Sequence, residues 1–273
     1  MNWRMIGCAL ALVLLPAQAA DGADSSVLTV TAPAPGAENY KLGREAAAQR
    51  RYEDAMRYFK LAAEQGTVQA YNYIGGLYAD GQGVPASDTE AMRWYRMGAE
   101  RGEPWAQLNM GFHYSRGTGV PKDDTEALKW YRLSAAQGNE FSQLNIGIAY
   151  WNGRVVPRDY AEAMRWFKLS AAQNNPNAQI CIGEFHASGL GVPQDYAEAL
   201  RWFRMAADQA SKWANYSEPT VPRQIAYAEY RIAQSYLQGL GVARDPAAAR
   251  SWMVKAAQLG SADAAAWLRA NPG

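Results

Sequence analysis

The sequence repeats itself with a fixed period of 36 residues. The segment GGLYADGQGV at 75–84 returns in similar form at 111–120, 147–156 and 183–192. A second segment, first complete as TEAMRWYRMGAERG at 89–102, returns in step with it. Chains with repeats of this length stack one supersecondary unit on the next, because a single unit cannot bury its apolar face alone.

Each unit is predicted to form two helices. In the second segment Ala127, Trp130 and Tyr131 lie at i, i+3 and i+4, which is the spacing of an apolar stripe along a helix. Six units are recognisable, four of them in strict register, and an insertion of 14 residues at 211–224 precedes the sixth. We therefore predict an all-α stack of helical hairpins.

Polar residues mark the start of each second helix. An acid or a serine stands three residues before a glutamate, which is the capping-box spacing. In that motif the first side chain accepts from the helix amides, and the glutamate reaches back to the amide of the capping residue. The capping residues predicted in this way are Ser87, Asp123, Asp159 and Asp195.

A glycine recurs in the middle of each first helix, where it costs about 1 kcal/mol relative to alanine. We expect the paired helix to approach closely there. The glycines are Gly75, Gly111, Gly147 and Gly183, with Ala233 in the equivalent place. Aromatic residues recur in the same phase and are predicted to form the core between helices. They are Trp94, Trp130, Trp166, Trp202 and Trp252, with Tyr78, Tyr114, Tyr150 and Tyr236.

These repeats resemble the Sel1-like repeats, a subclass of the tetratricopeptide-type α-solenoids. The resemblance rests on Gly-x-x-Tyr-x-x-Gly-x-Gly-Val followed by Asp, Ala, Trp-Tyr and Ala-Ala, and it covers roughly residues 37–260. His186, Val155 and Ala233 depart from the pattern. The resemblance implies a right-handed α-solenoid that serves as an adaptor for other proteins.

The N-terminus is predicted to be an export signal. Arg4 precedes an apolar run of eleven residues at 5–15, and small residues follow as far as Ala19. This order is typical of a secretory signal peptide, and the run is too short to span a bilayer, which takes about 20 residues. A buried N-terminal helix is the alternative. We expect a periplasmic protein that has a signal peptide at 1–19 with cleavage near Ala19, a flexible leader at 20–36, and repeats at 37–273.

Composition excludes several classes of function. Lys and Arg total 27 against 26 Asp and Glu, so the chain lacks the basic excess of a nucleic-acid-binding protein. Two cysteines and two histidines do not supply a disulfide framework or a zinc site. No catalytic constellation, phosphate loop or nucleophile elbow is present, so we predict no enzyme, no metal and no cofactor. After cleavage Cys181 stands alone, and the sequence leaves open whether it is buried or reactive.

A partner is expected on the concave face that first helices line in tetratricopeptide-type solenoids. If that arrangement carries over, the exposed positions lie six before, one after and four after the repeat glycine. Aromatic and apolar residues collect there in the middle units without recurring through the array, as in a local contact patch. Burial between units is the alternative. The residues predicted to bind a partner at these positions are Trp105, Phe112, Phe141, Ile148, Trp151 and Tyr227.

The insertion at 211–224 is a second candidate, because loops on a rigid scaffold often carry function. It contains Trp213 and Tyr216, which we also predict to contact a partner. Filling a gap between units is the alternative. The C-terminal segment at 261–273 is predicted to be a capping helix.

The predicted function is therefore the binding of another protein. One hypothesis is a stoichiometric inhibitor, such as an immunity protein that sequesters a secreted toxin or another toxic enzyme acting in the periplasm. A scaffold for a cell-envelope assembly is the second hypothesis. A cell-wall hydrolase is the third, and it lacks the convergent polar cluster that it would need. The oligomeric state is left open.

Overall fold

The computed structural model describes residues 35–209 and 220–272, without the side chains of 220–222. These residues form thirteen α-helices and no strand. In chain order the helices are α1 (Ala37–Ala48), α2 (Tyr52–Glu64), α3 (Gln69–Asp80), α4 (Asp88–Glu100), α5 (Pro104–Arg116), α6 (Asp124–Ala136), α7 (Glu140–Asn152), α8 (Tyr160–Ala171), α9 (Pro176–Ser188), α10 (Tyr196–Asp208), α11 (Thr220–Gln238), α12 (Pro246–Gln258) and α13 (Ala262–Ala270).

The helices pair as hairpins, which confirms the predicted all-α repeat fold. Each odd-numbered helix from α1 to α11 packs against the helix that follows it, and we call these the first and second helices of a unit. The described chain divides into two compact bodies, one ending at Asn139 and the other beginning at Glu140.

In the body at 35–139 the core lies between successive helices. Phe59 of α2 stacks on Tyr73 of α3 with ring centroids 4.8 Å apart, and both are buried. Farther along, Tyr95 of α4 and Met110 of α5 belong to a second buried cluster. The core thus continues from one hairpin to the next, as expected for stacked repeats.

In the body at 140–272 one larger cluster spans α7 to α11. Phe167, Phe185 and Phe203 are fully buried at its centre. Cys181 also has no exposed surface, which settles the question of burial that the sequence left open. At the end of the chain Trp267 of α13 packs against a small cluster that includes Met253 of α12.

The repeat glycines allow the close approach that was predicted. A Cβ atom placed on Gly147 would lie 2.5 Å from Cε1 of Phe167, and one on Gly111 would lie 2.5 Å from Cε1 of Tyr131. No real Cβ sits that close to another carbon, so these positions accept only glycine without rearrangement. Each aromatic ring fills the space that a side chain on the first helix would otherwise take.

The repeat tryptophans were predicted to form the core between helices, but the ring that meets the glycine belongs to the residue after each of them. Trp130 and Trp166 are only partly buried, whereas their neighbours Tyr131 and Phe167 have almost no exposed surface. Both positions lie on the apolar stripe, but only the second points at the glycine of the paired helix. The tryptophans cover the edge of the core.

The predicted capping residues all cap their helices. Asp159 Oδ1, for example, accepts from the amides of Ala161 and Glu162 at 2.9 and 3.0 Å. The second half of the capping box was predicted wrongly. Glu162 instead forms an ion pair with Arg165 at 2.9 Å, and the amide of Asp159 donates to the carbonyl of Tyr150 in the preceding first helix.

That amide-to-carbonyl bond recurs in five units, at distances of 2.9 to 3.1 Å. It joins the start of each second helix to the last turn of its own first helix. The donors and acceptors are Ser87 and Tyr78, Asp123 and Tyr114, Asp159 and Tyr150, Asp195 and His186, and Asp245 and Tyr236. Each of these five hairpins is therefore closed by a backbone bond that needs no particular side chain.

Several predictions lie outside the described residues. They concern the signal peptide at 1–19, most of the leader at 20–36, and most of the insertion with Trp213 and Tyr216. Within the part that is described, no helix is both long and apolar enough to cross a membrane. The same residues contain no group of three or more His, Cys, Asp or Glu arranged to hold a metal ion.

Candidate protein-binding surface

The residues predicted to bind a partner lie on first helices, as expected. Trp105 and Phe112 are on α5, Tyr227 is on α11, and α7 carries the other three, Phe141, Ile148 and Trp151. Trp105, Ile148 and Tyr227 are partly exposed. Whether these positions contact a partner remains a prediction.

The expected exposure of the other three was wrong. Phe112, Phe141 and Trp151 are only 4%, 3% and 7% exposed. In the body at 140–272, Trp151 meets the rings of Phe167 and Phe185 edge-on, with centroids 6.2 and 5.4 Å away. A large side chain four residues after the repeat glycine thus turns into the hairpin core, where apolar burial holds it.

A polar cluster joins two successive first helices in the body at 140–272. Glu184 of α9 accepts a hydrogen bond from the Tyr227 hydroxyl of α11 at 2.8 Å and pairs with the Arg231 guanidinium. Arg231 also donates to the Tyr227 hydroxyl oxygen at 3.0 Å. The side chains of Arg231 and Glu184 are 22% and 15% exposed, so this ion pair is largely desolvated but still partly accessible to solvent.

The Arg231 guanidinium lies over the buried ring of Phe203, 4.9 Å from its centroid. A cation over an aromatic face gains electrostatic energy from the ring, and more so where water is excluded. Arg231 therefore rests on the core and reaches Glu184 from a fixed position.

Burial and the partners within the cluster set its charge state. Burial opposes the charge of Arg231, but the Glu184 carboxylate and Tyr227 together raise the pKa of Arg231 above its usual range. Burial, and then the Glu184 charge, raises the pKa of Tyr227. At neutral pH the cluster consequently presents a guanidinium and a neutral phenol that donates to Glu184.

The sequence pointed to Tyr227 but not to its two partners. Glu184 occupies the position one after the repeat glycine, where the other units have Gly76, Phe112, Ile148 and Gln234. Arg231 lies two before Ala233, where the others have Tyr73, Asn109, Asn145 and Cys181. The signal was available, because within the second to sixth units each position carries a charge only once.

Buried glutamines show a second departure from the repeat pattern. In the third and fourth units an amide of the second helix donates to the first-helix glutamine, Gln137 to Gln107 at 2.8 Å and Gln173 to Gln143 at 2.9 Å. Gln179 holds the equivalent place on α9 and is fully buried, yet among the described residues neither polar atom of its amide has a hydrogen-bond partner. The hydrogen bond between the two glutamine positions is therefore not formed by Gln179, in the unit that the insertion follows.

Comparison with known proteins identifies the repeat. The Sel1 repeat family matches residues 40–67, 68–103, 106–139, 141–175, 176–211 and 226–261. This chain belongs to the Sel1 repeat family. Sel1 repeats mediate protein–protein interaction, so a protein partner is the expected ligand. A comparison with curated proteins gives no match.

Two solved Sel1 structures have similar sequences. A Sel1 repeat protein from Oxalobacter formigenes is 30% identical, with a TM-score of 0.73, over 84% of this chain and 85% of that one. The second is c5321, a protective antigen present in uropathogenic Escherichia coli strains. It is 31% identical, with a TM-score of 0.60, over 86% of this chain and 56% of that one.

A more distant structure shares the fold alone. The immunity protein Pa5087 from Pseudomonas aeruginosa is 17% identical, with a TM-score of 0.54, and the match covers 82% of each chain. The helical repeat arrangement of this Sel1 protein thus also occurs in a protein named for immunity.

Proposed function

We propose that this Sel1 repeat protein binds another protein through its first helices and acts as a stoichiometric inhibitor of a toxic enzyme in the periplasm. It catalyses nothing itself. The observation that carries the proposal is the cluster of Glu184, Tyr227 and Arg231. These residues depart from the repeat pattern, lie on helices and remain partly accessible to solvent.

Such a cluster suits the recognition of one partner. Charged groups held in place select a complementary partner and reject others, because a mismatched charge would be desolvated without compensation. Ile148, partly exposed at the same inner position one unit earlier, adds apolar surface. The fold shared with Pa5087 supports the inhibitor role, and the signal-like N-terminus supports export.

The test is affinity capture of the mature chain from envelope extracts, followed by an activity assay of each captured enzyme. We expect one enzyme, bound in a ratio of one to one and inhibited on binding. Several envelope proteins, none of them inhibited, would favour the scaffold hypothesis. Turnover of wall fragments by the purified chain would contradict the proposal.

A matched pair of variants locates the surface. Ile148→Arg and Val254→Arg each place a charge at a partly exposed apolar position, one on a first helix and one on a second helix. We expect both to keep a melting temperature within about 4 °C of the parent, since each side chain reaches solvent. Only Ile148→Arg is expected to abolish inhibition. Equal loss in both variants would place the interface elsewhere.

A further inference from the structure

The second helices carry an apolar residue that reaches solvent at one repeat position. Three residues after the repeat aromatic, which here means the tryptophan position (Tyr58 in the first unit), Leu61 is 39% exposed, Leu133 is 51% exposed, and Met97 is partly exposed. The body at 140–272 shows the same position exposed at Leu169 and Met205. The sixth unit has Lys255 there instead, so a charged residue is also compatible with the helix.

Two rows of basic residues flank this position, and the first row is neutralised. One residue before the repeat aromatic, each basic side chain forms an ion pair with an acid of its own helix at 2.7 to 3.3 Å. The pairs are Arg57 with Asp54, Arg93 with Glu90, Lys129 with Glu126, Arg165 with Glu162, and Arg201 with Glu198.

The second row keeps its charge. Two residues after the repeat aromatic stand Lys60, Arg96, Arg132, Lys168 and Arg204. In the described part of the chain none of these forms an ion pair. Arg96 donates to the neutral hydroxyl of Tyr114 at 3.0 Å. Glu64 and Glu100 lie one turn beyond Lys60 and Arg96, whereas α6 has Ala136 there, so the uncompensated charge is greatest around Arg132.

We propose that the basic and apolar side chains of α2, α4 and α6 form a second docking surface, which binds an acidic amphipathic helix of another protein. We call this surface the basic–apolar face and define it by three pairs of residues. They are Lys60 with Leu61, Arg96 with Met97, and Arg132 with Leu133. The face lies on second helices and is separate from the first-helix surface of the proposed function.

Charge complementarity and the pattern of exposure determine the kind of partner. Unpaired cations beside exposed apolar side chains match a helix that has carboxylates next to an apolar stripe. A lipid bilayer fits less well. Helices that lie in membranes present a wide continuous apolar face, whereas here each helix offers one such residue between charges. The chain as a whole carries a formal charge of only +1.

The test measures binding of a labelled peptide of about 20 residues to the mature chain by fluorescence anisotropy, a length that forms a helix readily. The peptide is made of Glu and Leu with Leu on one helical face, and a scrambled peptide of equal composition is the comparison. We expect the amphipathic peptide to bind and the scrambled one to bind about tenfold more weakly, because scrambling removes the apolar stripe.

Three combined variants separate the contributions. Leu61→Gln with Met97→Gln and Leu133→Gln removes the apolar row, and Lys60→Gln with Arg96→Gln and Arg132→Gln removes the unpaired charges. Each is expected to weaken binding about tenfold. The control removes three whole ion pairs from the same helices, Arg57→Gln with Asp54→Asn, Arg93→Gln with Glu90→Gln, and Lys129→Gln with Glu126→Gln. It is expected to change binding less than about twofold, because the net charge of the face stays the same.

The proposal fails if the control variant weakens binding as much as the unpaired-charge triple, since attraction would then be unspecific. It also fails if no binding occurs at about 100 μM peptide. Vesicles of phosphatidylglycerol and phosphatidylcholine in equal parts, bound in place of the peptide with the same dependence on variants, would assign the face to a membrane. Self-association that the apolar triple abolishes would assign it to a second copy of the chain.

Discussion

The first and second helices of this protein differ in what they repeat. Second helices use one cap, one buried aromatic and one intrahelical ion pair in nearly every unit. First helices share a glycine, or Ala233 in the last unit, but the residue after it changes from unit to unit, from Phe112 through Ile148 to Glu184. The difference indicates that the second helices provide the contacts that nearly all units share, whereas the first helices carry the residues that distinguish one unit from another.

The largest expected effect separates two neighbours on one second helix. Phe167→Ala should lower the free energy of unfolding by about 3–5 kcal/mol, because it empties the space beneath Gly147. Trp166→Ala should cost only about 1–2 kcal/mol, because its ring covers the core edge and remains partly exposed. Urea denaturation of both variants measures the difference. If Trp166→Ala lowers the free energy of unfolding as much as Phe167→Ala or more, the tryptophan is a central core residue.

A smaller effect concerns a first-helix position that departs from its counterparts. Glu103 caps α5 and is buried, and burial raises its pKa to about 7 although the amides of Ala106 and Trp105 lower it. Two later units have Asn139 and Asn175 there. The folded state holds this proton up to about pH 7, whereas the unfolded chain releases it near 4.5. Stability is therefore lost as the pH rises between these values.

Glu103→Asn should remove that loss. We expect the variant to be about 1–3 kcal/mol more stable than the parent at pH 8, and the difference to shrink toward pH 4.5. Glu100→Gln, a change of an exposed glutamate in the preceding helix, serves as the control and should leave the pH profile as it is. If Glu103→Asn and the parent show parallel profiles from pH 4.5 to 8, the glutamate does not titrate in this range.

The smallest effect tests the uniformity of the second helices. Asp159→Ala should cost about 1 kcal/mol, because the amides of Ala161 and Glu162 lose their acceptor. Asp159→Asn keeps an acceptor oxygen and should cost less. The equivalent changes at Asp123 should give the same values in thermal or urea unfolding. A marked difference between the two units would show that second helices with the same capping contacts do not gain the same stability from them.

Most of the fold could be predicted because its determinants recur in phase. Spacing identified the helices, the caps and the glycines, since each depends on residues close together in the chain. The exchange between Trp166 and Phe167 could not be resolved in this way, because both residues belong to the apolar stripe and spacing does not show which of them faces the glycine of the paired helix. The burial of Trp151 depends on Phe185, which belongs to the next unit.

The candidate site was harder to predict than the fold. Glu184 and Arg231 are 47 residues apart, and the insertion between them shifts the phase, so spacing alone does not pair them. Their contact depends on how α11 packs beside α9 after that shift. A charge at a position that is neutral in the other units from the second to the sixth is the kind of signal that locates such a pair.

The backbone bond that closes each hairpin bears on how the array could grow. Because the amide of Asp159 binds a carbonyl of its own unit, a duplicated stretch of one period would bring its cap, turn and closure with it. Gene duplication or deletion could then change the array by whole units, and every helix of the resulting chain would still be capped. The 14 extra residues lie at the boundary between the fifth and sixth units, where added sequence interrupts no hairpin.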